Sequence, residues 1–228
     1  MIPRARPWAA VLAAATLAAC GSGPGADRAT ALREIAQGVL AQRTGGAAAR
    51  PAEIGPAERA AALEATTRPL LYTRFSATGA PAILIGIEES GPATTFATRA
   101  RQTIALRDGV LIATRGLGGD LMSSDVAAVQ ALIAARRAGA AQRVMRFLNA
   151  ADEVRALAFD CRVRPGAAQR VTVGGRARTA TPVVETCTGR DGREIVNTYM
   201  IDGAGRAVAS RQWAGDLIGY VTLRVLRF

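Results

Sequence analysis

The chain contains no histidine and no lysine. The first absence removes the commonest general base and the commonest ligand for zinc or copper. The second removes the ammonium that a P-loop or a Ser-Lys pair requires, so all 29 basic residues are arginine. Cysteine is scarce at three residues, and aromatic side chains make up only 4% of the chain. What remains for catalysis is carboxylate chemistry. Glu88, Glu89, Asp120, Asp152, Glu153, Asp160 and Glu185 could supply the two acids of a glycosidase, but their spacing singles out no pair. Adjacent residues on a strand point to opposite faces, and unpaired acids are seldom buried, so these side chains are expected at solvated strand ends. The chain therefore reads as a non-enzyme with no metal site and no cofactor.

A run long enough to span a bilayer is also missing. Arg4 and Arg6, with no acid before Asp27, form a positive start, and Trp8 to Leu17 is a hydrophobic run well short of the about 20 residues a spanning helix needs. Leu17-Ala18-Ala19-Cys20-Gly21 resembles the lipobox of bacterial lipoproteins. The resemblance implies cleavage before Cys20, a diacylglyceryl thioether on its sulfur and a further chain, such as palmitate, on the new amine. Two or more chains are what stable anchoring requires. Residues 1–19 are then a signal peptide and 20–26 a lipidated tether, with Gly21 favouring the outer membrane, on its periplasmic face. The competing reading is an ordinary secretory signal in which Cys20 is incidental.

The formal charge of +11, or +9 once Arg4 and Arg6 leave with the signal peptide, should draw the surface toward anions such as lipid headgroups or acidic glycans. An arginine-only basic set in an Ala- and Gly-rich chain is equally what a compositional bias would produce. Nucleic acid is a poor partner for an exported lipoprotein. With Cys20 acylated, Cys161 and Cys187 are left over, and in an oxidising compartment an even pair reads as a disulfide. Closing that loop stabilises the fold by ~3–4 kcal/mol. Two free buried thiols are the alternative.

Leu32, Ile35, Val39 and Leu40 share one face of a helix over 27–43, and a second short helix is expected from Pro56 to Thr66 beyond an Ala/Gly/Pro-rich linker at 44–55. Residues 27–68 thus form a helical segment. From residue 69 the period changes to two: Ile83, Ile85 and Ile87 alternate, as do Leu157, Phe159, Cys161 and Val163, and Val221, Leu223 and Val225. Ser90-Gly91-Pro92, Asp108-Gly109, Gly174-Gly175, Asp191-Gly192 and Asp202-Gly203 punctuate these runs. The pattern predicts a mainly β domain over 69–228, its antiparallel hairpins forming a curved sheet, sandwich or open barrel. One inserted helix is expected at about 125–137, with Ser124 as N-cap, Val126, Val129, Leu132 and Ile133 inward, Arg136 and Arg137 near its C-terminus and Gly139 ending it.

Two segments are dense in special residues. Gly109 to Ser124 reads as a strand running through a glycine-rich loop into the helix. It lacks the lysine of a P-loop and the third glycine of a dinucleotide loop, so a tight connection with positive φ at Gly116 and Gly118 is the preferred account. Ser210-Arg211-Gln212-Trp213 and Gly219-Tyr220 carry an aromatic pair of the kind that stacks on sugar rings, although core or rim packing explains Trp and Tyr in a final hairpin as well. Arg115, Gly116, Gly118, Asp120, Trp213 and Tyr220 are the candidate binding rim.

The string Gly109-Val-Leu-Ile-Ala-Thr-Arg-Gly-Leu-Gly-Gly-Asp-Leu-Met-Ser123 resembles a signature region of the YjbF/GfcB lipoproteins, linked to exopolysaccharide and group 4 capsule production. Cys161, Glu185-Thr-Cys187-Thr-Gly189, Asn197-Thr-Tyr199, Ser210-Arg-Gln-Trp213 and Gly219-Tyr-Val221 follow in the same order. The resemblance implies a non-enzymatic lipoprotein working with other envelope proteins, among them an outer-membrane β-barrel, in exporting or assembling a polysaccharide. It brings no catalytic residues. The expected mode of action is binding, with anionic glycan as a partner. The alternative is a carrier of lipid or lipoprotein whose half-open sheet holds an acyl chain. An envelope hydrolase using two carboxylates is disfavoured.

Overall fold

The computed structural model describes residues 52–148, 151 and 153–228. The signal segment, Cys20, the tether and the helix expected over 27–43 lie outside the described residues, as does Asp152. The described residues form one compact unit.

The first helix, α1 (Pro56–Ala65), starts with proline at its first turn, where the missing N–H costs nothing. None of its residues is buried; Arg227 fastens it by donating to the carbonyls of Leu63 and Thr66. Thirteen strands follow: β1 (Leu70–Phe75), β2 (Pro81–Ser90), β3 (Ala93–Ala97), β4 (Thr103–Arg107), β5 (Val110–Arg115), β6 (Leu121–Asp125), then helix α2 (Ala127–Ala134), β7 (Gly139–Leu148), β8 (Val154–Pro165), β9 (Gln169–Val173), β10 (Arg176–Gly189), β11 (Glu194–Asp202), β12 (Ala207–Trp213) and β13 (Tyr220–Arg227). All pair antiparallel in the order β5-β4-β3-β2-β1-β13-β12-β11-β10-β8-β7-β6, with β9 a branch on β10. The two ends of this order, β5 and β6, lie side by side, so the sheet curls into a nearly closed barrel.

Local chemistry explains the hairpins. Arg107 pairs with Val110 across Asp108 and Gly109, both at positive φ, and Val173 pairs with Arg176 across Gly174 and Gly175, also both positive. These are two-residue turns whose twist matches that of the strands. Inward positions alternate along the strands expected to do so: Phe159, Cys161 and Val163 on β8 and Val221 and Leu223 on β13 are buried. The β2 expectation is corrected. Leu84, not the Ile83-Ile85-Ile87 set, enters the core, and Ile87 is exposed. A face with three isoleucines lost to one with a single leucine because the register with β1 and β3 orients the strand.

Three details around α2 also differ from expectation. The glycine-rich loop leads first into β6, and only then into α2, which is shorter than 125–137. Ser124 does not cap the helix; the N-cap is Val126 without a side-chain bond. Gly139 does not end it. Arg136 takes the left-handed position at φ 51°, with the Arg136 and Arg137 amides bonded to the carbonyls of Ile133 and Leu132 in a Schellman arrangement. Val129, Leu132 and Ile133 face the core, so α2 stoppers the barrel end that carries the 108–109 and 203–206 turns.

Candidate functional site

A nearly closed barrel of this size must fill its middle with side chains, and here much of the filling is polar. Arg143 on β7 and Glu185 on β10 are both fully buried and paired, Arg143 Nη1 lying 3.2 Å from Glu185 Oε2. Asn197 Nδ2 (2.8 Å) and the Tyr199 hydroxyl (2.7 Å) donate to the same carboxylate oxygen. Arg143 Nε donates to Ser124 Oγ and its Nη2 to the Leu111 carbonyl. Gln212 on β12 accepts from the Leu111 amide and, at 3.2 Å, takes the weaker share of the single Tyr199 proton directed at Glu185, and it donates to the Gly109 carbonyl and Ser210. Asn197 Oδ1 accepts the Trp213 amide at 2.8 Å. Every buried side-chain atom of this network has a partner. That condition is what makes a buried polar cluster tolerable.

The charges respond to the confinement. Burial, the largest influence, would lower the pKa of Arg143, but the Glu185 carboxylate and Tyr199 together hold the guanidinium above its ordinary value. The Tyr199 hydroxyl is pushed well above the usual tyrosine range, first by burial and then by the anion it donates to. The earlier expectation that the acids sit at solvated strand ends is corrected for Glu185. Its position carried a signal: it stands between Val183 and Cys187 on the inward face of an alternating strand, as Asn197 stands between Ile195 and Tyr199.

Cys161 and Cys187 face each other across β8 and β10 and are joined by a disulfide spanning 26 residues. Both sulfurs lie within 4.8 Å of a Glu185 oxygen, yet the bridge leaves no thiolate to ligate a metal. Directly beside the network is the barrel seam. No backbone ladder joins β5 to β6, and side chains take its place. On the edge of β5, the groups of Gly109 and Leu111 bond Gln212 and Arg143, as above. Farther along, the Leu121 amide donates to Thr114 Oγ1, and Arg115 donates to the carbonyls of Leu121 (3.0 Å) and Met122 (3.1 Å). Asp120 folds the intervening loop, accepting from Thr114 Oγ1 and from the Gly116 and Leu117 amides. Gly116 and Gly118 have the expected positive φ, 75° and 79°.

The six candidate rim residues therefore divide. Arg115, Gly116, Gly118 and Asp120 form the seam loop, which meets the 214–219 loop where Leu217 lies against Gly119. Trp213 is buried, edge-on to Phe147 and Phe159, with the Arg193 guanidinium over its ring, so it closes this end of the barrel and has no open face for a sugar. Tyr220 sits on the outer face, covered by Arg211 at 3.5 Å, and its hydroxyl accepts the Val196 amide.

Two depressions lie on the outer wall. One, of about 430 Å³, is lined by Arg162, Arg164, Pro165, Gly166, Val184 and Thr186. The other, of about 280 Å³, is lined by Glu53, Arg59, Tyr72, Arg74, Thr222 and Arg224.

A family model described as group 4 capsule polysaccharide lipoprotein GfcB, YjbF matches residues 52–226. Among solved structures, the crystal structure of the hypothetical lipoprotein YmcC from Escherichia coli (K12) is similar with a TM-score of 0.65 and 15% identity, over 78% of this chain and 98% of that one. At that identity the likeness is one of fold. No curated protein matches the chain.

Proposed function

The chain belongs to the group 4 capsule polysaccharide lipoprotein family of GfcB and YjbF, and from that premise we propose a lipid-anchored accessory protein for exopolysaccharide or capsule export and assembly. It acts by binding and not by catalysis, held through acyl chains on Cys20 at the periplasmic face of the outer membrane beside polysaccharide-export proteins that include a β-barrel. One observation carries the choice of binding over catalysis. The separated segments that resemble the family, from Gly109 to Ser123 and around Glu185, Asn197, Tyr199 and Gln212, converge on a sealed interior network and its seam. Residues committed to such a network build a rigid wall, and the chemistry of recognition is left to the outer surface. The same filling argues against the acyl-chain carrier, since the interior is occupied by Arg143, Glu185, Tyr199 and Gln212 and not by apolar space.

Deletion of the gene, and separately a Cys20→Ala change, should lower the amount or alter the chain length of surface polysaccharide. Unchanged polysaccharide in the deletion strain would sink the reading. An acyl chain recovered with the purified protein would favour the carrier.

A further inference from the structure

The register of the sheet places the two outer depressions at opposite ends of one row. Across neighbouring strands, Arg164 on β8 is opposite Val184 on β10, which is opposite Thr198 on β11, then Arg211 on β12, Thr222 on β13 and Arg74 on β1. Their sequence neighbours Val163, Val183, Asn197, Gln212, Val221 and Thr73 are buried inside the barrel, so the row itself faces outward. Five strand spacings of ~4.8 Å make it about 24 Å long. Arg162 flanks it at one end and Arg224 at the other.

We propose that this row, Arg164-Val184-Thr198-Arg211-Thr222-Arg74 with Arg162 and Arg224 beside it, is a binding track for an acidic polysaccharide strand. The inference rests on the reading of the chain as a polysaccharide accessory protein and gives that binding a place. Arg162 and Arg164 form no ion pair among the described residues, so their guanidinium forks are open for carboxylate or phosphate. Arg211 sits over the Tyr220 ring, its Cζ 3.5 Å from the ring centre, which restrains its fork at little further entropic cost. Threonine hydroxyls between the arginines match sugar hydroxyls. Acids bound the track. Asp160, Thr188 and Glu194 form a parallel row beyond Arg162, and at the far end Glu53 pairs with Arg74, leaving Arg59 and Arg224 in excess there. A linear ligand with charges at intervals suits the unpaired cations Arg164 and Arg211, three strand spacings or about 14 Å apart, with Arg224 beside Thr222 continuing the positive charge toward the far end. A lipid headgroup suits it less, because a membrane-facing site needs apolar anchors and Val184, 37% exposed, is the row's one large exposed hydrophobic residue.

The test uses full-length protein in neutral-lipid nanodiscs, titrated with oligogalacturonate, neutral dextran and short-chain phosphatidylglycerol. Oligogalacturonate should bind with marked salt dependence and dextran should not. Arg164→Ala/Arg211→Ala should weaken oligogalacturonate binding about tenfold or more, while Arg155→Ala/Arg176→Ala, equal in charge change but off the row, should have little effect. Equal weakening by both pairs, undiminished binding by the first, or preference for phosphatidylglycerol over the glycan would each overturn the track. If gene deletion alters surface polysaccharide while the row variants bind normally, the track fails and the accessory role stands. If the row binds but deletion leaves polysaccharide unchanged, the accessory role fails instead.

Discussion

Replacing Glu185 with glutamine keeps the shape of the side chain and one acceptor oxygen but removes the one carboxylate that, among the described residues, pairs with the buried guanidinium of Arg143. It also leaves an amide N–H₂ that must face a donor in either orientation, Arg143 Nη1 at the Oε1 position or Asn197 Nδ2 and the Tyr199 hydroxyl at the Oε2 position. Breaking a buried ion pair by removing one partner costs about 3–5 kcal/mol. Set against the 5–15 kcal/mol that is typical of a whole domain, Glu185→Gln alone should remove about a fifth of the stability or more. At roughly 2–4 °C per kcal/mol for a domain of this size, the melting midpoint should fall by about 6–20 °C. Arg143→Met/Glu185→Leu should be less damaging than the sum of its single changes, because neither charge is left stranded. It should still fall short of the parent, since the Leu111 carbonyl loses its donor, a loss of about 1–3 kcal/mol. Urea unfolding followed by tryptophan fluorescence, which reads Trp213 beside the network, measures the parent, Glu185→Gln, the double variant and its two single changes. A Glu185→Gln midpoint within about 1 kcal/mol of the parent, or strict additivity in the cycle, would refute the claim that the pair is dry and mutually compensating.

Arg115→Ala should loosen the seam, raising amide hydrogen exchange at Leu121 and Met122 and costing about 1–2 kcal/mol; unchanged exchange there would mean that the guanidinium does not close the barrel. Gly109→Ala and Gly118→Ala both put a side chain at positive φ, but a Cβ on Gly109 would lie 2.5 Å from the Ala207 Cβ whereas Gly118 faces open space. Gly118→Ala should therefore cost about 1–2 kcal/mol and Gly109→Ala clearly more, and equal melting midpoints would contradict the packing. Burial would raise the pKa of Asp202, yet its bonds to the Arg206 backbone and guanidinium and to the Ala204 amide hold it below the usual carboxylate range. Its stabilisation is then full above about pH 4, the unfolded value, and drains away as pH falls through the folded one. Asp202→Asn should flatten the acid limb of the stability profile and lower stability at neutral pH; an unchanged acid limb would remove Asp202 as its cause.

Much of this protein was legible one residue at a time. The two-residue period, the paired turn residues at 108–109 and 174–175 and the proline that starts α1 are local rules, and each produced the element it announced. The disulfide followed from counting cysteines. Local rules failed where a residue's role is set across the barrel. Nothing near Arg143 in sequence says that a carboxylate 42 residues away cancels its charge. Nothing near Gln212 says that its amide stands in for a missing strand against Gly109 and Leu111. Trp213 looked like a sugar platform because exposure cannot be read from an aromatic alone, and the outer row of arginines exists only once six strands fix their register. Sequence determined which segments become strands, because period and turn chemistry act over a few residues. Tertiary structure decided which face of each strand points inward and which polar groups meet there, because desolvation and charge pairing depend on distance in space and not on separation along the chain.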